Sequence, residues 1–304
     1  MVFFLHCKYI LKKIDFSEID LLLIFIGKNL LTMCILFIFN GEKEAESDYS
    51  LILISNRDEY YERPSQNMAP WSEDNSVYGG RDLQPGCKTG TWLAISTKYK
   101  KIGVLLNLPG VKKENAISRG SIVADYVTND LNLLDYVECI KEDANKYNDF
   151  VFVSVELGSS AEVKTYSNAN DEIIHWTNTY LGFGNSLPDK PLNKVQNGEK
   201  LLRDTCKKFN KIDNKFELLN ELVKLLKNEQ RYLPDPQLEN RQPNIYKELS
   251  SIFVKIPVIK YGTRAHTIIL VTKSGHVDLI EISMKSPIDV ENTQWERNEF
   301  HFNI

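Results

Sequence analysis

A chain of 304 residues with 42% apolar and 26% charged side chains can bury a sizeable core, and its length admits one large domain or two small ones. The net charge of −4 offers no basic stripe, which excludes the usual electrostatic footprint of a nucleic-acid binder. Five cysteines without CxxC spacing and five dispersed histidines without an HxxxH pair argue against a metal centre or a disulfide framework and fit a reducing compartment.

Residues 1–32 stand apart from the rest. Lys8, Lys12 and Lys13 precede an apolar run, but Asp15, Glu18 and Asp20 interrupt it, unlike a secretory signal. Three acids and no Arg also differ from a mitochondrial presequence. The 19 residues from Leu21 to Phe39 are long enough for a membrane span. Lys28 and Asn29 lie at its middle, where a charge is costly, so membrane association through residues 1–32 is not favoured. Met33 reads as the natural start of a single domain over 33–304, with 1–32 as an extension.

From Cys34 onward strands dominate. "CILFIF" (34–39) and "SLILIS" (50–55) flank an acidic turn and predict a hairpin. "PWSEDNSVYGGRDLQPGCKTG" (70–90) reads as a loop, and "TWLAIS" (91–96) with "KIGVLLN" (101–107) as a second strand pair. Residues 118–148 carry apolar side chains at three- and four-residue steps and predict helix. "DFVFVSVEL" (149–157) and "EVKTYSN" (162–168) return to strand, and 193–210 and 215–229 predict two helices. Three prolines make 231–244 a loop. "SSIFVKI" (250–256), 265–283 with a "KSG" turn, and "WERNEFHF" (295–302) complete the strands. Strands, then helices, then strands define an α+β layered domain rather than alternating βαβ units.

The candidate chemistry begins at Cys34. Should translation start at Met33 and the methionine be removed, Cys34 carries its thiol and an α-amino base on one residue. The plainer reading is a small buried hydrophobe. "ILISNRDEYYERP" (52–64) sends an apolar strand into Asn56, Arg57, Asp58 and Glu59, placed at its tip beside Cys34. Arg57 there stabilises a thiolate or an anionic ligand, and Asp58 orients an amine; otherwise the two close a surface turn. Asn107, Asn185 in "LGFGNSLP", and Arg264 in "YGTRAHTIIL" stand at strand ends, where amide donors and a guanidinium serve acyl transfer. "GGRDLQPGCKTG" is an anion loop or a scaffold for Trp92. His266 and His276 have no evident partner in the sequence.

"MCILFIF", "ILISNRDEYYERP", "GGRDLQPGCKTGTWLAIS", "YLPDP" and "YGTRAHTIILVTKSGHV" together resemble the Transport and Golgi organisation protein 2 family, also called the NRDE family. The resemblance runs from Met33 nearly to the C-terminus. It implies an αββα sandwich like that of N-terminal-nucleophile hydrolases. In that pattern Cys34 is the nucleophile, with Arg57, Asp58, Asn107, Asn185 and Arg264 completing a catalytic set. It also implies a role in Golgi organisation and protein secretion, with cytoplasmic, Golgi and mitochondrial association. No cofactor is required, and an acyl-CoA, another lipid-like molecule or haem is the implied ligand, clamped by Asn56 to Glu59. The alternative is a Cys34-dependent amidohydrolase or thioesterase. Retained residues 1–32 would deny Cys34 its free amine.

Overall fold

A computed structural model describes residues 33–87, 90–158 and 160–304; the readings of residues 1–32 lie outside the described residues. β1 (Ile35–Asn40) and the first half of β2 (Tyr49–Tyr60) are apolar on both faces, so both faces must be covered. The structure covers them with helices on one side and a second sheet on the other. The first sheet runs β10 (Tyr180–Gly184), β1, β2, β12 (Tyr261–Thr272), β13 (His276–Met284), β14 (Trp295–Asn303), with β11 (Lys255–Ile256) beside β12. The second follows chain order from β3 (Ser65–Pro70) and β4 (Val77–Asp82) to β5 (Leu93–Ser96) and β6 (Lys101–Asn107). It ends in β7 (Phe150–Leu157), β8 (Ala161–Ser167) and β9 (Glu172–Trp176). Every paired strand in both sheets is antiparallel.

Strand periodicity sorts the core into three apolar layers. Leu36, Ile38, Leu51 and Leu53 point between the sheets, where they meet Leu93, Ile102, Val104 and Val153. Ile35, Phe37, Ile52 and Ile54 point the other way, onto α3 (Asn193–Lys208) and α4 (Lys215–Leu226). Leu105, Phe150 and Phe152 turn outward from the second sheet onto α1 (Gly120–Thr128) and α2 (Leu133–Lys141). The order is helices, sheet, sheet, helices.

The structure corrects several boundaries. β2 runs through Asn56–Glu59 to Tyr60, so that cluster sits inside a central strand and not beyond its tip. The helical stretch 118–148 is two helices, the second capped by the Asn132 side chain accepting from the Asp135 N–H. The 70–90 loop contains β4, and 180–184 adds a strand paired with β1. A short helix, α5 (Pro236–Arg241), lies within 231–244, because Pro is tolerated at the first helical turn and Asp235 caps it. Of 250–256 only Lys255–Ile256 is strand, followed beyond a tight turn by β12. The apolar run that ends at Phe39 finishes as buried β1, and among the described residues no helix is long and apolar enough to cross a membrane.

Candidate functional site

Hairpin register builds the site. Ile35 pairs with Asn56, so Cys34 stands beside the Arg57–Asp58 step, its Sγ 3.9 Å from the Asp58 carbonyl oxygen. On the far side of β2, Asp58 pairs with Thr263 and Arg57 with Ala265, leaving Arg264 as the extra residue of a bulge. Cys34, Arg57, Asp58, Glu59, Asn107 and Asn185 all line one cavity of 410 Å³. Its opposite wall comes from Asp82, Pro85–Cys87, Trp92 and the segment 116–120. Residues scattered from 34 to 185 in the chain thus meet because Cys34, Asn107 and Asn185 stand at strand ends beside the Arg57–Glu59 stretch of β2.

Arg57 is buried with its guanidinium carbon over the Trp92 ring, 3.8 Å from the centroid, and one N–H donated to Ser65 Oγ at 3.0 Å. Among the described residues no carboxylate lies within ion-pair distance of it. Burial lowers its pKa, and the nearby Glu59 opposes that shift. Arg63 is held differently, by a two-pronged pair to Asp82 at 3.2 and 2.6 Å, with Glu59 at 3.4 Å. Arg63, Lys112 and Arg119 join Arg57 on the wall, against the carboxylates of Asp58, Glu59 and Asp82.

Cys34 is half-buried, and burial followed by the Asp58 charge pushes its thiol up to about 12. In this chain its nitrogen is in peptide linkage to Met33, so at neutral pH it presents a thiol and no amine. Asp58 Oδ1 accepts from Thr263 Oγ1 at 2.6 Å, whereas Oδ2 has no hydrogen-bond partner. Burial raises the Asp58 pKa, resisted by the charge of Lys194 and the Thr263 hydrogen bond. Asn185 Nδ2 donates to the Asn107 carbonyl at 2.6 Å, and Arg241 of α5 holds the Asn185 carbonyl at 2.9 Å. The side-chain oxygens of both asparagines are buried without partners.

Lys194 was invisible to sequence reasoning, because a Lys in the first turn of a polar helix reads as surface. It is 1% exposed and its Nζ has no partner. Burial lowers its pKa while Asp58, Cys34 and Asp235 pull it back. Its depth follows from glycine. A Cβ on Gly198 would sit 2.1 Å from the Phe37 ring, and one on Gly184 would sit 2.8 Å from Val195, so α3 lies directly on β1 and β10. Gly182 and Gly184 therefore allow a close approach, that of α3 to β10.

Two named residues do not reach the cavity. Asn56 faces the helices, donating to the Leu226 and Ile252 carbonyls at 2.8 and 2.9 Å, and its Oδ1 meets His266 Nδ1 at 2.7 Å. Arg264 donates to the carbonyls of Tyr60 and Arg63 at 2.9 and 2.7 Å and fixes the turn after β2. His266 thus has partners after all, Asn56 and a stacked Trp295 at 5.0 Å.

The geometry defines a two-sheet α+β domain whose sheet ends enclose a polar, cysteine-bearing cavity. Residues 33–286 match the family Transport and Golgi organisation 2, and the chain belongs to that family. It is 40% identical over 263 residues to Transport and Golgi organization protein 2 of Drosophila melanogaster, a match covering 83% of this chain and 92% of that one. The Mus musculus homolog is 32% identical over 280 residues, covering 90% and 99%, and the Homo sapiens homolog is 32% identical over 282 residues.

Proposed function

We propose that the chain takes part in Golgi organisation, as the names of its relatives indicate, and in protein secretion, and does so by binding an anionic acyl thioester such as an acyl-CoA. The observation that carries this reading is Arg57, buried on Trp92 with no carboxylate partner while its cavity is otherwise open. A buried guanidinium without a counter-ion is costly, and an incoming anion relieves that cost. Four basic side chains line the cavity against three carboxylates, of which burial already drives Asp58 towards its neutral form. At 410 Å³ the cavity lies near the lower end of the range of about 300–1,000 Å³ typical of small-molecule sites. It therefore suits a head group or thioester, with the rest of the ligand leaving past the exposed Leu83 and Val111. Among the described residues no histidine lines it, and burial raises the thiols of both Cys34 and Cys87, which disfavours axial ligation of haem. Arg57→Ala is expected to weaken acyl-CoA binding by about 1.5–3 kcal/mol, the scale of a charge-assisted hydrogen bond. Titration calorimetry on the folded variant checks this, and unchanged affinity refutes it.

The second reading, a Cys34-dependent amidohydrolase or thioesterase, has one observation in its favour. Cys34, Asp58, Asn107 and Asn185 share the cavity in a helix–sheet–sheet–helix domain of the order expected for N-terminal-nucleophile hydrolases. It requires a chain that begins at Cys34, whose amine replaces the missing base. Such a chain would form a Cys34-linked acyl adduct visible by mass spectrometry, and Cys34→Ser would abolish it. The raised thiol pKa of the extended chain favours binding over turnover.

A further inference from the structure

A second cluster of ligating side chains lies at the opposite end of the first sheet. Asp278 on β13 pairs across the ladder with His301 on the edge strand β14, and His276 precedes Asp278 by two residues. The two-residue period of a strand puts His276 and Asp278 on one face, and direct pairing brings His301 beside them. His301 Nδ1 lies 2.7 Å and His276 Nε2 3.4 Å from the same Asp278 oxygen, Oδ1. The imidazole rings are parallel within 7°. None of the three lines the cavity of Cys34.

We propose that His276, Asp278 and His301 form a binding site for a divalent transition ion of the zinc class. Zinc bound to imidazole nitrogen and carboxylate oxygen at about 2.0–2.2 Å holds neighbouring ligand atoms roughly 3.4 Å apart in a tetrahedron. The His276–Asp278 separation already has that value, and all three ligand atoms lie within 4.8 Å of one another. Closing the set needs movements of about an ångström from two imidazoles whose side chains are 42% and 50% exposed. Asp278 is the fixed member: its side chain is 2% exposed, and Oδ2 accepts from Lys215 Nζ, the first residue of α4, at 2.6 Å. That leaves Oδ1 for the ion and aims it at the two rings. Two nitrogens and one oxygen suit zinc, nickel or copper, and a hard ion such as magnesium would need more oxygens. The fourth position opens to solvent, so the ion would pin an edge strand whose side chains alternate between exposed and partly buried.

Zinc chloride titrated into the tag-free 304-residue chain, with thermal unfolding followed in parallel, tests the site. One ion per chain should bind and raise the unfolding temperature, because it binds the folded state alone. His301→Ala should weaken binding by more than about tenfold and remove the thermal shift. Lys215→Met, which releases Oδ2 and with it the aim of Oδ1, should also weaken it. Zinc binding that survives His276→Ala and His301→Ala together, an equal shift with magnesium, or no binding at all overturns the proposal.

Discussion

Two buried polar clusters lie two residues apart on β2, around Asn56 and Asp58, and are built on opposite principles. Around Asn56 almost everything is paired: both amide N–H groups go to carbonyls, so Oδ1 must accept from His266 Nδ1–H, which sets the tautomer of that ring. Only the bare His266 Nε2 lacks a partner. Around Asp58 the pairing is incomplete, with Asp58 Oδ2, Lys194 Nζ and the side-chain oxygens of Asn107 and Asn185 all buried and unpaired. Buried polar groups are normally hydrogen-bonded, so the first cluster is architecture that ties the helical layer to the sheet. The second retains bonding capacity beside a cavity, as a site for a ligand does. The difference teaches that pairing, more than burial or motif, separates scaffold from site within "NRDE".

The largest expected effect falls on the paired cluster. Asn56→Ala strands the Leu226 and Ile252 carbonyls and the His266 N–H, and each orphaned group costs about 1–3 kcal/mol. A loss of roughly 3 kcal/mol or more in urea unfolding is expected, and a loss below about 1 kcal/mol would make Asn56 dispensable as scaffold. Next comes a double-mutant cycle on the unpaired cluster. Lys194→Met and Asp58→Asn should each destabilise the fold, and the double variant should cost at least about 1 kcal/mol less than their sum. Strict additivity would mean that the two charges do not sense each other.

A smaller effect sharpens the contrast through pH. Glu281 is half-paired: Oε1 accepts from the Met68 N–H at 2.7 Å, Oε2 has no partner, and burial raises its pKa to about 7. Between its ordinary 4.5 and 7 the folded chain then holds a proton that the unfolded chain has lost. Its contribution to stability is full below pH 4.5 and fades as pH rises through 7. His266 acts in the opposite sense, since burial lowers it to about 3 and stability is lost as pH falls below 6.5. Glu281→Gln, which keeps the bond to Met68, should flatten the decline towards neutral pH and leave the acid limb unchanged. An unaltered profile would show that Glu281 titrates normally in the fold.

The parts of this molecule that follow strong local rules were legible in advance. The β1–β2 hairpin, the β12–β13 hairpin and the helices of the 193–229 region announce themselves by apolar runs and periodicity. β4 and β10 did not, because glycine and polar residues there answer to tertiary neighbours such as Val195 and Trp92. α5 was hidden by prolines that its Asp235 cap accommodates. Within the site, Cys34, Arg57, Asp58, Glu59, Asn107 and Asn185 could be named because they end strands or interrupt them with charge. Strand parity could have assigned Asn56 to the helical face, since it shares that face with Ile52 and Ile54. Nothing local marks Lys194, whose burial depends on Gly198 fitting Phe37.

The most direct test of the cavity as a ligand site uses the chain's own thiols. Cys34 and Cys87 line the cavity, Cys139 is exposed on α2, and Cys206 is buried in the helical layer. Alkylation with and without an acyl-CoA thioether, followed by peptide mass spectrometry, compares Cys87 with Cys139 inside one molecule. The account predicts that ligand slows modification of Cys87, and of Cys34 where that thiol reacts, while Cys139 keeps its rate, and that Arg57→Ala erases the protection. A Cys87 rate that saturating ligand leaves unchanged, or protection that persists in Arg57→Ala, would contradict it.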